Sequence, residues 1–345
     1  MNNPFQKTKI IINYQSKDII NLFTKIISQN EPFFFGRIGG SDFDIVQEYF
    51  NNKNLYNKIS IYDFIPTPFL RIYDKFFLKN TPKRKYSYAI KKVKRFNGYF
   101  DFQNNRSNFI KYLEEILYCY KNANYFFYAG STLIKKFENN NFNENDLNFL
   151  NYILENKTII DYSFIESVLP FLESFKIWGE NKKILIISPF SKSLEYQYKR
   201  KDNLIKNYNF PNFKLITYNT KITYSTKNDT KETLGVNTNN WNEEIARIKK
   251  DVEKIDFDIA LLSCGSYSMG LGCHIKNIGK KAIYLGGVLN VIFDVYGKRY
   301  DTTFFNNIVN CNYQITSIEN EEINKIKGGR KVKNESLDAY FGIKR

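Results

Sequence analysis

The sequence contains one histidine, His274, and only four cysteines, Cys119, Cys264, Cys273 and Cys311. Four scattered thiols lay out neither a disulfide framework nor a zinc site, and they suit a reducing, cytoplasmic setting. No run of about 18 apolar residues occurs, so no membrane-spanning helix is expected. The first residues, Met1-Asn2-Asn3-Pro4-Phe5, show neither the basic stretch nor the apolar run of a secretory leader. Helix-turn-helix, RNP and zinc-finger patterns are missing, which argues against a nucleic-acid partner. The G-x-G-x-x-G fingerprint and the Gly-Lys-Ser/Thr of a P-loop are missing too, which argues against a nicotinamide-dependent oxidoreductase and a P-loop nucleotide site.

What is present describes a globular chain. Of 345 residues, 43% are hydrophobic and 25% charged, enough to bury one large core or two modest ones. The 31 Phe and 26 Tyr accompany abundant Asn, Lys and Ile and little Ala, the bias of an AT-rich bacterial genome. Aromatic content by itself therefore marks no binding face. The net charge of +16 does call for an anionic partner. Lys83-Arg84-Lys85, Lys91-Lys92-Val93-Lys94-Arg95 and Lys199-Arg200-Lys201 would suit a phosphorylated molecule or peripheral contact with the inner membrane leaflet.

Short apolar runs alternate with longer amphipathic stretches, the pattern of a parallel sheet with crossover helices. Strands are predicted at 32–38, 124–128, 183–188, 213–218, 257–263 and 281–285, several apolar on both faces as buried parallel strands are. Helices are predicted at 17–29, 41–50, 107–121, 144–155, 162–175, 192–207 and 241–255. The expected fold class is α/β: one Rossmann-like domain over residues 1–300, its mostly parallel sheet flanked by helices. It carries a basic helical or irregular insertion at about 52–105 and a C-terminal extension at 301–345. Residues 221–240 read as a long surface loop and 325–333 as an arm.

Three places carry candidate chemistry. In the first, an apolar strand runs through Arg37 into Gly39-Gly40, after which Ser41 or Asp42 can cap a helix. Glycines at such a junction let a ligand approach the backbone, and Arg37 could clamp a phosphate bidentately. Asp42 and Asp44 could take a proton or hold a divalent ion. In the second, a buried strand opens into Cys264-Gly265-Ser266-Tyr267-Ser268-Met269-Gly270-Leu271-Gly272, a permissive loop at a strand's carboxyl end, before a helix carrying His274. Imidazole is the side chain best matched to proton transfer at neutral pH. The third joins Gly286-Gly287, again ending a strand, to Lys298-Arg299. Ser188, which also follows a strand, completes a set of strand ends suited to a phosphate-bearing ligand.

Several of these motifs together resemble a known group. They are Ile186-Ile187-Ser188-Pro189-Phe190 with Ser193 and Gln197, and 256–267 ending in Cys264-Gly265-Ser266-Tyr267. His274-Ile275-Lys276, Gly286-Gly287, Gly297–Tyr300 and Arg37-Ile38-Gly39-Gly40-Ser41-Asp42 complete the set. The chain resembles transferases of bacterial surface-polysaccharide gene clusters, within the GT-D class of glycosyltransferases, which carry an Asp-x-Glu motif for donor and metal. Here Gly40 stands in place of the first acid and Asp42 at the position of the Glu. The resemblance implies a nucleotide-activated donor and a capsular or lipooligosaccharide sugar acceptor. The donor would lie against Arg37, Gly39, Gly40, Ser41, Ser188, Gly265, Ser266, Tyr267, Gly270, Gly286, Gly287, Lys298 and Arg299. With one acid of the pair missing, the scheme needs no cofactor, and a divalent ion at Asp42 and Asp44 is the alternative. Asp42 would act as base for glycosyl transfer, His274 for a phosphoryl-type transfer such as that of O-methyl phosphoramidate. A non-catalytic polysaccharide-binding scaffold is the remaining reading.

Overall fold

The computed structural model describes residues 9–11, 17–38, 41–53, 89–94, 98–128, 144–223, 230–297 and 300–319. The strands are β1 (Lys9–Ile11), β2 (Phe33–Ile38), β3 (Tyr125–Tyr128), β4 (Thr158–Asp161), β5 (Lys183–Ser188), β6 (Lys214–Asn219), β7 (Ile259–Leu262) and β8 (Lys281–Tyr284). They form one eight-stranded sheet in the order β1-β4-β3-β2-β8-β7-β5-β6, with every neighbouring pair parallel. This is the expected α/β, Rossmann-like arrangement with flanking helices.

Side chains along the strands alternate between two cores, as the two-residue period of a pleated strand requires. Phe34, Phe126, Leu185, Ile187, Ala260, Leu262 and Ala282 face one core. Phe33, Phe35, Phe127, Ile184, Ile186, Ile259, Leu261 and Ile283 face the other. The first core is covered by α2 (Ser41–Asn51), α3 (Arg106–Asn122), α4 (Glu144–Leu154), α7 (Trp241–Glu253) and α8 (Tyr267–Asn277). The second is covered by α1 (Lys17–Ser28), α5 (Leu169–Trp178), α6 (Ser191–Tyr198) and α9 (Val288–Ile292). In α7 the apolar stripe Ile245, Ile248 and Val252 is buried, and Asn240 caps the first turn by accepting from the Glu243 amide.

The six predicted strands are all present. β1 and β4 were not predicted. The helix expected at 162–175 is broken at Val168, whose φ of +65° interrupts the coil before Leu169-Pro170 starts α5. The helix expected at 192–207 stops at Tyr198 and is followed by a single 3-10 turn at Lys201–Asn203.

Residues 54–88, the greater part of the expected basic insertion, lie outside the described residues, as do 320–345. What is described of the insertion packs on the first core: Ala89, Val93, Tyr99 and Phe100 are buried there. Asp101 accepts from the Gln103 and Asn105 amides and organises the entry to α3. Of the loop expected at 221–240, Leu234 and Val236 are buried. Residues 300–319 also pack on the body, with Ile308 and Val309 in the second core. Among the described residues no helix is long and apolar enough to cross a membrane.

Candidate functional site

Strands β2 and β8 lie side by side at the middle of the sheet, Phe33 opposite Lys281. Beyond β2 the chain enters α2 on the first face; beyond β8 it enters α9 on the second. Adjacent strands whose continuations part in this way leave a crevice at the carboxyl edge, the usual ligand position in an open α/β sheet.

Arg37, the penultimate residue of β2, is half-buried between buried neighbours. Its guanidinium carbon lies 4.5 Å from the centre of the Tyr162 ring and 5.9 Å from that of Tyr284. Tyr162 follows β4 and is itself buried; its hydroxyl donates to the Leu285 carbonyl at 2.7 Å, just past the end of β8. The ring thus reaches from the end of one strand to the end of another and forms a platform for the cation. Gly286 completes the seat. Its φ is +64°, and a Cβ there would lie 2.9 Å from Arg37 Nη1 and 3.4 Å from Tyr162 Oη. Both the turn and the close passage of Arg37 call for glycine.

Asp42 stands in the first turn of α2. The Tyr120 hydroxyl donates to its Oδ2 at 3.5 Å. Burial first, then the Asp42 charge, pushes the Tyr120 hydroxyl well above its ordinary pKa, while Arg37 pulls it the other way. Tyr112 is raised by burial and then by Asp42, Tyr99 and Tyr284. Both phenols therefore stay protonated near neutrality, and Tyr120 softens the carboxylate's charge by donating to it. Arg37 lies over the Tyr162 ring, and Tyr120 feels the charges of both Arg37 and Asp42, so a cation and a carboxylate share one electrostatic neighbourhood with these tyrosines. Such a pair can neutralise a departing phosphate and accept a proton.

The remaining predicted residues divide. Gly265, with φ of +59°, lies just past the end of β7, and its carbonyl accepts from the Tyr284 hydroxyl at 3.5 Å. Gly287 begins α9 and is buried. Gly39, Gly40, Lys298 and Arg299 lie outside the described residues, and of Ser41 only its place at the head of α2 is described.

Four others do not fit a ligand loop. The stretch read as a glycine loop is already helix from Tyr267 onward, so Gly270 packs inside α8 against Ile245, and a Cβ there would strike that side chain. Tyr267 is buried and stacks on Trp241 with the ring centres 5.8 Å apart. The Ser266 hydroxyl, also buried, accepts from Trp241 Nε1 at 2.8 Å. Ser188 is fully buried and accepts from the Phe190 amide at 3.1 Å, closing its own turn.

His274 lies in the last turn of α8, which leaves the carboxyl edge and runs back along the sheet. Seven residues of helix carry it about 10 Å from Tyr267. There its Nε2 is 3.1 Å from Glu253 Oε1, and burial foremost, with Lys249 beside it, lowers its pKa. The structure does not bring His274 together with Arg37 and Asp42. Asp44 is exposed and pairs with Lys92 at 2.6 Å instead of joining Asp42 at a cation. Among the described residues no three His, Cys, Asp or Glu side chains converge as a metal site. A surface groove of about 470 Å³ runs between α3 and α7, spanned by the Lys249–Glu115 pair at 2.6 Å, and shares no lining residue with the crevice.

Sequence reasoning missed Tyr162, Tyr284, Tyr112 and Tyr120. A usable signal existed for Tyr284 alone, which immediately precedes Leu285-Gly286-Gly287 at a predicted strand end. Comparison of the chain with family models, curated proteins and solved structures returned no match.

Proposed function

We propose that the crevice between the ends of β2 and β8 binds the phosphate-bearing part of a nucleotide-activated donor, and that the protein is a transferase acting on a sugar hydroxyl. The observation that carries this reading is Arg37, set against Tyr162 and Tyr284 at a strand end beside Asp42. Glycosyl transfer in bacterial capsule or lipooligosaccharide assembly fits this set best. The acceptor oxygen bonds to the donor's anomeric carbon as the bond from that carbon to phosphate breaks. Asp42 takes the acceptor proton, and Arg37 receives the charge left on the phosphate. The phosphoryl-type alternative relied on His274 as base, and the position of His274 at the far end of α8 counts against it.

The test is a thermal-shift screen with CDP, UDP, GDP and CMP, each with and without Mn²⁺, on the wild-type chain and on Arg37→Met. One nucleotide should stabilise the wild type, and the variant should lose that response. A response that survives in Arg37→Met, or no response to any of the four, would remove the basis for the reading.

A further inference from the structure

The turn beyond β5 holds a second, separate arrangement. Residues 315–319 return to the body beside α9: the Tyr296 amide donates to the Ile315 carbonyl at 2.8 Å and the Ile315 amide to the Asp294 carbonyl at 3.2 Å. The segment then crosses the head of α6. The Ile318 amide donates to Ser193 Oγ at 2.9 Å. The Ser193 amide donates to Glu319 Oε1 at 3.1 Å and the Ser193 hydroxyl to Glu319 Oε2, while Ser317 Oγ donates to the same oxygen at 2.9 Å.

Glu319 is 3% exposed. A carboxylate is removed from water at this cost only where donors answer it. Its donors here are a first-turn amide of α6 and two hydroxyls, the set that also recognises phosphate. The residue at the head of α6, Phe190, offers no side-chain cap, so the anion is brought from a glutamate 126 residues beyond Ser193.

A second observation lies at the same strand ends. Thr220, just past β6, donates its amide to the Ser188 carbonyl at 3.3 Å, and Asn219 Nδ2 donates to Ser191 Oγ at 2.8 Å. The Thr220 hydroxyl is buried at 2% exposure and has no hydrogen-bond partner among the described residues. A buried hydroxyl without a partner is costly, and this one belongs to a residue whose amide is tied to Ser188, in the turn that leads into α6.

We propose that residues 315–319 form a strap whose Glu319 carboxylate occupies a second anion position, at the ends of β5 and β6, and that a phosphate group takes this position when the strap lifts. Two anions cannot share the Ser193 amide and hydroxyl, so strap and phosphate exclude each other. The position is separated from Arg37 by β8 and β7, and the inference stands on this geometry without the transferase reading.

Inorganic phosphate is the probe, at constant ionic strength, in the full chain with Arg37→Met so that the first crevice contributes nothing. Glu319→Ala in that background should bind phosphate roughly tenfold more tightly or better than the Arg37→Met parent, the size of an ordinary coupling between exclusive ligands. Adding Ser193→Ala should remove the gain. Equal phosphate response in parent and Glu319→Ala would overturn the proposal.

If Glu319→Ala does not fold, hydrogen exchange on the wild-type chain decides. Phosphate should speed exchange at 315–319 and slow it at 191–194. No change in either segment would equally overturn the proposal.

Discussion

Arg37 and Tyr162 come from strands with β3 between them, yet the guanidinium carbon of one lies 4.5 Å from the ring centre of the other. The Tyr162 hydroxyl is fixed at 2.7 Å to the Leu285 carbonyl, so three strand ends are tied at one point. Ring and hydroxyl have separable roles. Tyr162→Phe leaves the buried Leu285 carbonyl without this donor and should cost about 1–3 kcal/mol while keeping the ring beneath Arg37. Tyr162→Leu should lose the ring as well. Denaturant unfolding should show a comparable or larger loss for Leu, whereas nucleotide affinity should fall for Leu and hold for Phe.

Gly286 tests the seat from the other side. An alanine there takes on a φ of +64°, costing ~1–2 kcal/mol, and sets its Cβ 2.9 Å from Arg37 Nη1. The guanidinium must then move off its platform. We expect nucleotide affinity to drop about tenfold, equivalent to ~1.4 kcal/mol, as read by calorimetry beside a thermal melt.

Gly272 and Gly279 form a contrasting pair on one segment. A Cβ at Gly272 would run into the Phe34 ring, where α8 crosses β2, and Gly272→Ala should cost about 3 kcal/mol. At Gly279, φ is +80° and nothing lies within 4 Å of an added Cβ. Gly279→Ala should therefore cost only the backbone strain, about 1 kcal/mol. Urea titrations of the two variants should separate clearly, and equal losses would contradict the packing described.

His274→Gln should leave nucleotide binding unchanged, since His274 sits at the opposite end of α8 from the crevice. Its pKa is held below the ordinary 6.5, by burial above all. The folded chain then takes up this proton at lower pH than the unfolded chain does. The associated stability is complete above 6.5 and is lost as pH falls from there through the lower value of the folded state. Glutamine should flatten this part of the pH–stability curve.

Lys157 governs a different window. Burial, with Lys121 and Lys276 nearby, pushes its ammonium down to about 7 from 10.5. Its Nζ donates to the Tyr120 carbonyl at 2.9 Å and the Lys121 carbonyl at 2.6 Å, at the end of α3. Between these two values the unfolded chain is protonated and the folded chain is not, so stability should fall as pH decreases. About 2 kcal/mol should be lost from pH 9 to pH 7, with a plateau below. Lys157→Met should abolish the slope, whatever it does to the overall level, as followed by urea unfolding at three pH values.

Much of the sheet could be read from the chain because each central strand is a short apolar run with both faces buried, as at Lys183–Ser188. β4 could not, since it fills the gap between the helices expected at 144–155 and 162–175 with a single apolar pair, Ile159-Ile160. Arg37 and Asp42 were legible as a strand end entering a helix, a local feature. The tyrosines around them were not, because Tyr120, Tyr162 and Tyr284 meet through the order of strands and helices and share no spacing. Glycines misled in one place. Gly270 and Gly272 look like a ligand loop in sequence, but they are the contact points at which a helix lies close against Ile245 and Phe34. A missing side chain serves close packing as readily as it serves a ligand.

The pairing of β2 with β8 also sets when the protein can come into being during synthesis. The edge of Phe33–Ile38 that will receive β8 stays bare until the ribosome has translated Lys281 and its neighbours. Contacts that close so long a stretch of chain form slowly, and an uncovered phenylalanine-rich strand invites premature association. In the cell, yield should therefore depend on chaperone cover during late elongation. Fragments that stop before β8 should accumulate as aggregates, even where their local helices are sound.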